Sequence, residues 1–75
     1  MQDEIKGIIK ELFDLTSGII LGEDQNEYYF WKVDFLEEIE LKKEIKVKFK
    51  PEQYITNKEK IYKAVLISKD EEEVI

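Results

Sequence analysis

The sequence predicts an all-β chain: a small five-stranded antiparallel barrel with a short helical turn after its third strand. Three observations predict it. The apolar residues fall into short runs rich in β-branched and aromatic side chains, parted by polar turns. One segment, Glu44 to Lys50, alternates cleanly, with Ile45, Val47 and Phe49 on one face and Lys46, Lys48 and Lys50 on the other. A third stretch, Ser17 to Phe35, holds two apolar runs around an acidic turn, as a β-hairpin does. Five strands in 75 residues favour closure, because an open sheet of that size exposes two edges.

Taken in order, Met1 to Glu4 is a polar lead-in, and Ile5 to Phe13 fits two templates. Ile5, Ile8, Ile9 and Leu12 have helical spacing, but Gly7 interrupts the pattern and the segments that follow are strands, so strand is favoured. Asp14 to Ser17 has turn composition. Gly18 to Leu21 is a strand, Gly22 to Asn26 a turn, and Glu27 to Val33 an aromatic strand. In it Tyr28 and Phe30 point one way, Tyr29 and Trp31 the other. One of these faces can be core; the other must be covered or must bind something.

Asp34 to Leu41 reads as a short helical turn with Asp34 as its N-cap. Glu44 to Lys50 is the fourth strand, which Pro51 is expected to end. Gln53 to Glu59 reads as a loop with its tip at Asn57-Lys58, and Lys60 to Ser68 as the last strand. The domain is expected to span residues 1–69, leaving 70–75 as an acidic, frayed tail.

Composition limits the chemistry. With neither cysteine nor histidine, there is no disulfide, no thiolate metal site and no serine-histidine or cysteine-histidine catalysis. Nothing in the sequence pairs two carboxylates in an apolar setting, so an enzyme, a metal site and a cofactor are not expected. No apolar run reaches the ~20 residues that cross a bilayer, and the N-terminus lacks a signal-peptide pattern, which points to a soluble cytoplasmic protein with no membrane partner.

The net charge is −6, and all 12 cations are lysine. Both facts weigh against tight nucleic-acid binding, where phosphate contacts dominate and arginine is the usual fork. The charge is unevenly spread. Residues 1–41 hold three lysines and eleven acids, whereas residues 42–50 hold five lysines and one acid. That basic strip can track a phosphate backbone or can simply be a solvated strand face guarded against edge pairing.

The five-strand order makes the OB-fold the obvious candidate, and within it the chain resembles the cold-shock domain from Gly7 to about Ile67. Gly7-Ile8-Ile9-Lys10 is similar to that family's opening G-x-V-K. Ser17-Gly18-Ile19-Ile20-Leu21 stands where the family has K-G-F-G-F-I, and Tyr28-Tyr29-Phe30-Trp31 where it has V-F-V-H. Leu41 to Phe49 keeps the spacing L-x-x-G-x-x-V-x-F, and Ala64-Val65-Leu66-Ile67 is similar to the closing A-x-V. The departures are specific. Glu11 replaces an exposed aromatic, Ile19 and Leu21 replace two phenylalanines, Ser17 replaces a lysine, and Lys32 replaces a further phenylalanine.

The resemblance implies weak binding of single-stranded RNA or DNA with little sequence preference. Tyr29 and Trp31 would stack on bases, Ile19 and Leu21 would give apolar contact, and Lys10, Lys32 and Lys58 would meet phosphates. The alternative is a protein-interaction or self-association module, a homodimer included, on the same scaffold. In that reading Ile19, Leu21, Tyr29 and Trp31 meet a protein, and nucleic-acid binding is lost. The exposure of Trp31 decides whether a binding surface exists at all.

Overall fold

The computed structural model describes residues 4–70. Five strands, β1 (Ile5–Leu12), β2 (Ser17–Gly22), β3 (Glu27–Trp31), β4 (Lys46–Thr56) and β5 (Glu59–Lys69), close into a barrel in the order β1-β2-β3-β5-β4. The connectivity is OB-like: a β1-β2-β3 meander, a β4-β5 hairpin that returns to β1, and a parallel contact of β3 with β5 that completes the circle. All the ladders except that last one are antiparallel. Tyr29 pairs Lys63 there, and a parallel bridge from Phe35 to Ile67 extends the seam. Among the described residues no helix is long and apolar enough to cross a membrane.

The core follows from strand alternation. Ile9, Ile20, Tyr28, Phe30, Val47, Phe49, Ala64 and Ile67 are all buried, and each strand contributes at least one of them. Tyr28 meets Phe49 edge-on, with ring centroids 5.0 Å apart, and Phe30 meets Phe35 at 5.9 Å. Gly18 lies between β1 and β3, where a Cβ would stand 2.2 Å from the Glu11 carbonyl oxygen and 2.9 Å from the Phe30 ring. Only glycine lets β2 lie this close to both neighbours. A bulge between Ile9 and Glu11 lets β1 bend around the barrel.

The hairpin turns are closed by side chains as the sequence suggests. Asp14 Oδ1 accepts hydrogen bonds from the Thr16 amide at 2.8 Å, the Thr16 hydroxyl at 3.0 Å and the Ser17 hydroxyl at 3.1 Å. These bonds hold the Asp14 carboxyl below its ordinary range. Asp24 closes the next turn by accepting from the Asn26 amide and side chain, and Tyr28 reaches back to donate its hydroxyl to Asp24 Oδ2 at 2.5 Å.

Three expectations are corrected. Pro51 does not end β4: it pairs with Ala64 inside an eleven-residue strand. The β1–β4 ladder stops at Phe49, so β1 no longer lies beside β4 at Pro51, and the missing N–H interrupts no pairing with it. The stretch from Gln53 to Glu59 is accordingly no loop but the outer half of a hairpin, turning at Asn57-Lys58 as expected. Asp34 is not an N-cap either. The helical turn is a single 3₁₀ turn over Lys32–Asp34 that ends on Asp34, whose carboxylate faces Lys63 at 3.6 Å.

At the other end of the barrel the Asp70 amide donates to the Lys46 carbonyl at 2.9 Å and the Asp70 carboxylate lies 3.7 Å from Lys6 Nζ. Of the expected acidic tail, residues 71–75 lie outside the described residues, as do residues 1–3 of the polar lead-in.

Candidate functional site

The period of two along β3 divides its aromatic residues between core and surface. Tyr28 and Phe30 are buried, at 3% and 0% exposure, while Tyr29 and Trp31 are each 44% exposed. Ile19, opposite Tyr29 in the β2–β3 ladder, is half-buried and extends the face across β2. Phe13, just past the end of β1, joins it with its ring centroid 6.3 Å from that of Tyr29. On the other flank the Lys63 ammonium sits 5.1 Å from the centroid of the Trp31 ring. One row of paired positions therefore crosses five strands, Glu11–Ile19–Tyr29–Lys63–Glu52. It has aromatic and aliphatic residues at its centre and charges at its ends.

Sequence reasoning placed Ile19, Tyr29, Trp31 and Lys10 in one site, and the structure brings these four to one face. Lys10 reaches over β2 to hydrogen-bond Glu27 Oε2 on β3, and that bond raises its pKa. The remaining three expected residues are more dispersed. Leu21 is on the same side of β2 but lines a different cleft, with Ile8, Lys6 and Lys46. Lys32 opens the 3₁₀ turn, where its amide donates to the Thr16 carbonyl at 2.7 Å and its residue borders a cleft with Val33 and Leu36. Lys58 stands in the β4–β5 turn, five residues from Lys63 along the chain, or roughly 16 Å of extended strand.

Two participants escaped sequence reasoning. Phe13 was assigned to β1 with no outward role, and its contact with Tyr29 depends on how the end of β1 meets β3. Lys63 was one of three lysines in β5, and only the parallel register Tyr29↔Lys63 places it against β3.

Below that register β3 and β5 part, and a cleft of about 190 Å³ opens between the face and the turn end of the hairpin. Ile19, Tyr29 and Tyr62 line it, and Glu27, Glu59 and Lys60 supply its charged groups. No protein-family model matches the chain, and no curated protein matches it.

Proposed function

We propose that the chain is a cold-shock-like domain that binds single-stranded RNA or DNA weakly and with little sequence preference. The observation that carries this reading is the pair of half-open rings, Tyr29 and Trp31, on the outer face of β3. Each ring is available to stack on a base, an interaction worth about 1–3 kcal/mol that every base can make. Ile19 and Phe13 widen the apolar platform, and the OB-like barrel presents it on strands β2 and β3, the region this architecture uses for oligonucleotides. Lys32 and Lys58 supply phosphate contacts, whereas Lys10 and Lys63 are already engaged by Glu27 and Asp34. Stacking therefore outweighs charge, and affinity is low, with a dissociation constant on the order of 10⁻⁴ M as for other non-specific complexes.

Trp31 is the only tryptophan, so its fluorescence tests the reading directly. Short oligonucleotides are titrated into the protein, and stacked bases quench the indole. The quenching persists at moderately raised salt, since few phosphates are neutralised. An indole signal unchanged at millimolar oligonucleotide overturns the proposal.

A second reading has observations of its own. Val33, Leu36 and Leu66, at 90%, 65% and 52% exposure, leave apolar surface beside the 3₁₀ turn, and the paired lysines lower the charge of the Trp31 face. Both features suit a protein partner or a second copy of the chain. Sedimentation that depends on concentration, together with a failed oligonucleotide titration, would favour this reading.

A further inference from the structure

Resting on the nucleic-acid reading, we infer that the cleft between β3 and the turn end of the β4–β5 hairpin is a guanine subsite beside the sequence-tolerant stacking face. Its volume, about 190 Å³, falls below the ~300 Å³ at which pockets for drug-sized ligands begin, so it suits one heterocycle rather than a chain. It shares Ile19 and Tyr29 with the proposed face, so a base entering it continues the strand that stacks there.

The polar groups define which base. Two carboxylates, Glu27 and Glu59, and one ammonium, Lys60, border the cleft, and Lys10 balances Glu27 from β1, so the site is near neutral and its carboxylate oxygens invite N–H donors. Lys10 occupies Glu27 Oε2, and Oε1 has no hydrogen-bond partner among the described residues. Four consecutive residues of β5, Glu59 to Tyr62, border this one cleft. Side chains alternate along a strand, so the edge of β5 itself, with its amide and carbonyl groups, forms part of the wall.

Guanine is the base whose pairing edge matches this set most fully. Its N1–H and 2-amino group lie side by side and can meet a carboxylate bidentately, while its O6 accepts from a lysine or a backbone amide. Cytosine and adenine offer a carboxylate only one amino group, and uracil and thymine offer only N3–H. In single strands these edges are unpaired and open to such contacts.

The test compares three short oligothymidylates by Trp31 fluorescence: unsubstituted, with one internal guanine, and with one internal hypoxanthine, which keeps O6 and N1–H but lacks the 2-amino group. A bidentate base contact discriminates strongly against a base that cannot make it, so guanine should tighten binding about tenfold over thymine. Hypoxanthine should lose most of that gain. Glu27→Gln and Glu59→Gln should each be measured as well, and at least one should erase the guanine preference; Glu27→Gln also releases Lys10 and should raise affinity for every oligonucleotide, whereas Glu59→Gln should leave affinity for oligothymidylate unchanged. Equal binding of all three oligonucleotides overturns the subsite and leaves the stacking reading standing. Quenching by none of them overturns both.

Discussion

The Lys63 ammonium lies 5.1 Å from the centroid of the Trp31 ring and 3.6 Å from Asp34 Oδ2. It links the last exposed aromatic of β3 to the end of the 3₁₀ turn that follows. Asp34 Oδ2 is buried without a hydrogen-bond partner, so Lys63 is its nearest compensation. Lys63→Met keeps the aliphatic stem but leaves that oxygen without a counter-charge. We expect a loss of about 1–3 kcal/mol in urea unfolding. Adding Asp34→Ala should recover part of it, giving a coupling of at least ~0.5 kcal/mol in a double-mutant cycle. The indole should also loosen, seen as faster decay of Trp31 fluorescence anisotropy. Unchanged stability in Lys63→Met would show that the lysine does not hold this corner together.

Neighbouring aromatic residues of β3 should separate binding from folding. Tyr29→Ala and Trp31→Ala each remove a 44% exposed ring, whereas Phe30→Ala empties a fully buried site. The first two should weaken oligonucleotide binding by about tenfold each, as lost stacking platforms do, and cost under ~1 kcal/mol of stability. Phe30→Ala should cost about 3–5 kcal/mol. Calorimetric titration, which needs no tryptophan signal, measures the first effect, and urea melts the second. If Tyr29→Ala bound as tightly as the parent chain, Tyr29 would have no part in stacking.

The contrast between Phe30 and Tyr29 also indicates what the sequence could reveal. Alternation is a local property, so the split of β3 into two faces was legible from four consecutive letters, but that the Tyr29–Trp31 face stays open was not. So was the Asn57-Lys58 turn. Pro51 misled because its cost depends on which neighbour needs its N–H, and the end of the β1–β4 ladder at Phe49 is not written near it. Asp34 misled for a related reason. A cap and an ion pair look alike in sequence, and the choice fell to Lys63, 29 residues away along the chain. The placement of Lys63 beside Trp31 depends on barrel closure, which a strand-by-strand reading cannot register.

The Tyr28–Asp24 bond predicts a pH profile. Burial first, and then the hydrogen bond to Asp24, push the Tyr28 hydroxyl up from 10.0 to about 12. The folded state thus holds this proton more tightly than the unfolded one. Its contribution is complete below about pH 10 and is lost as pH rises toward 12. Burial alone would raise the Asp24 carboxyl, but hydrogen bonds from Tyr28 and Asn26 outweigh it and bring the group below 3.8. That contribution is present above about pH 4 and lost as pH falls through the lowered value. Tyr28→Phe should lower the plateau between these limits by about 1.5 kcal/mol, the scale of a hydrogen bond to a charged group. It should also flatten the alkaline limb. Unfolding free energies measured across pH for both chains check this, and parallel alkaline limbs would refute it.

Lys58 bears on both fold and site. Asn57 and Lys58 have φ of 46° and 73°, the pattern of a two-residue hairpin turn whose second position favours glycine. Two effects of Lys58→Gly oppose each other. Relief of the left-handed conformation stabilises by about 1–2 kcal/mol, and the greater freedom of glycine in the unfolded chain costs about 0.4–1 kcal/mol. The first is larger, so Lys58→Gly should gain roughly 0.5 kcal/mol, which raises the melting temperature by about 2–4 °C in a domain this small. The same change removes one proposed phosphate contact, so affinity for oligonucleotides should fall and its salt dependence should shrink by about one phosphate. A chain that melts higher yet binds less tightly would separate the two roles of this position. A chain that melts higher and binds as before would remove Lys58 from the site and leave the turn geometry as its only constraint.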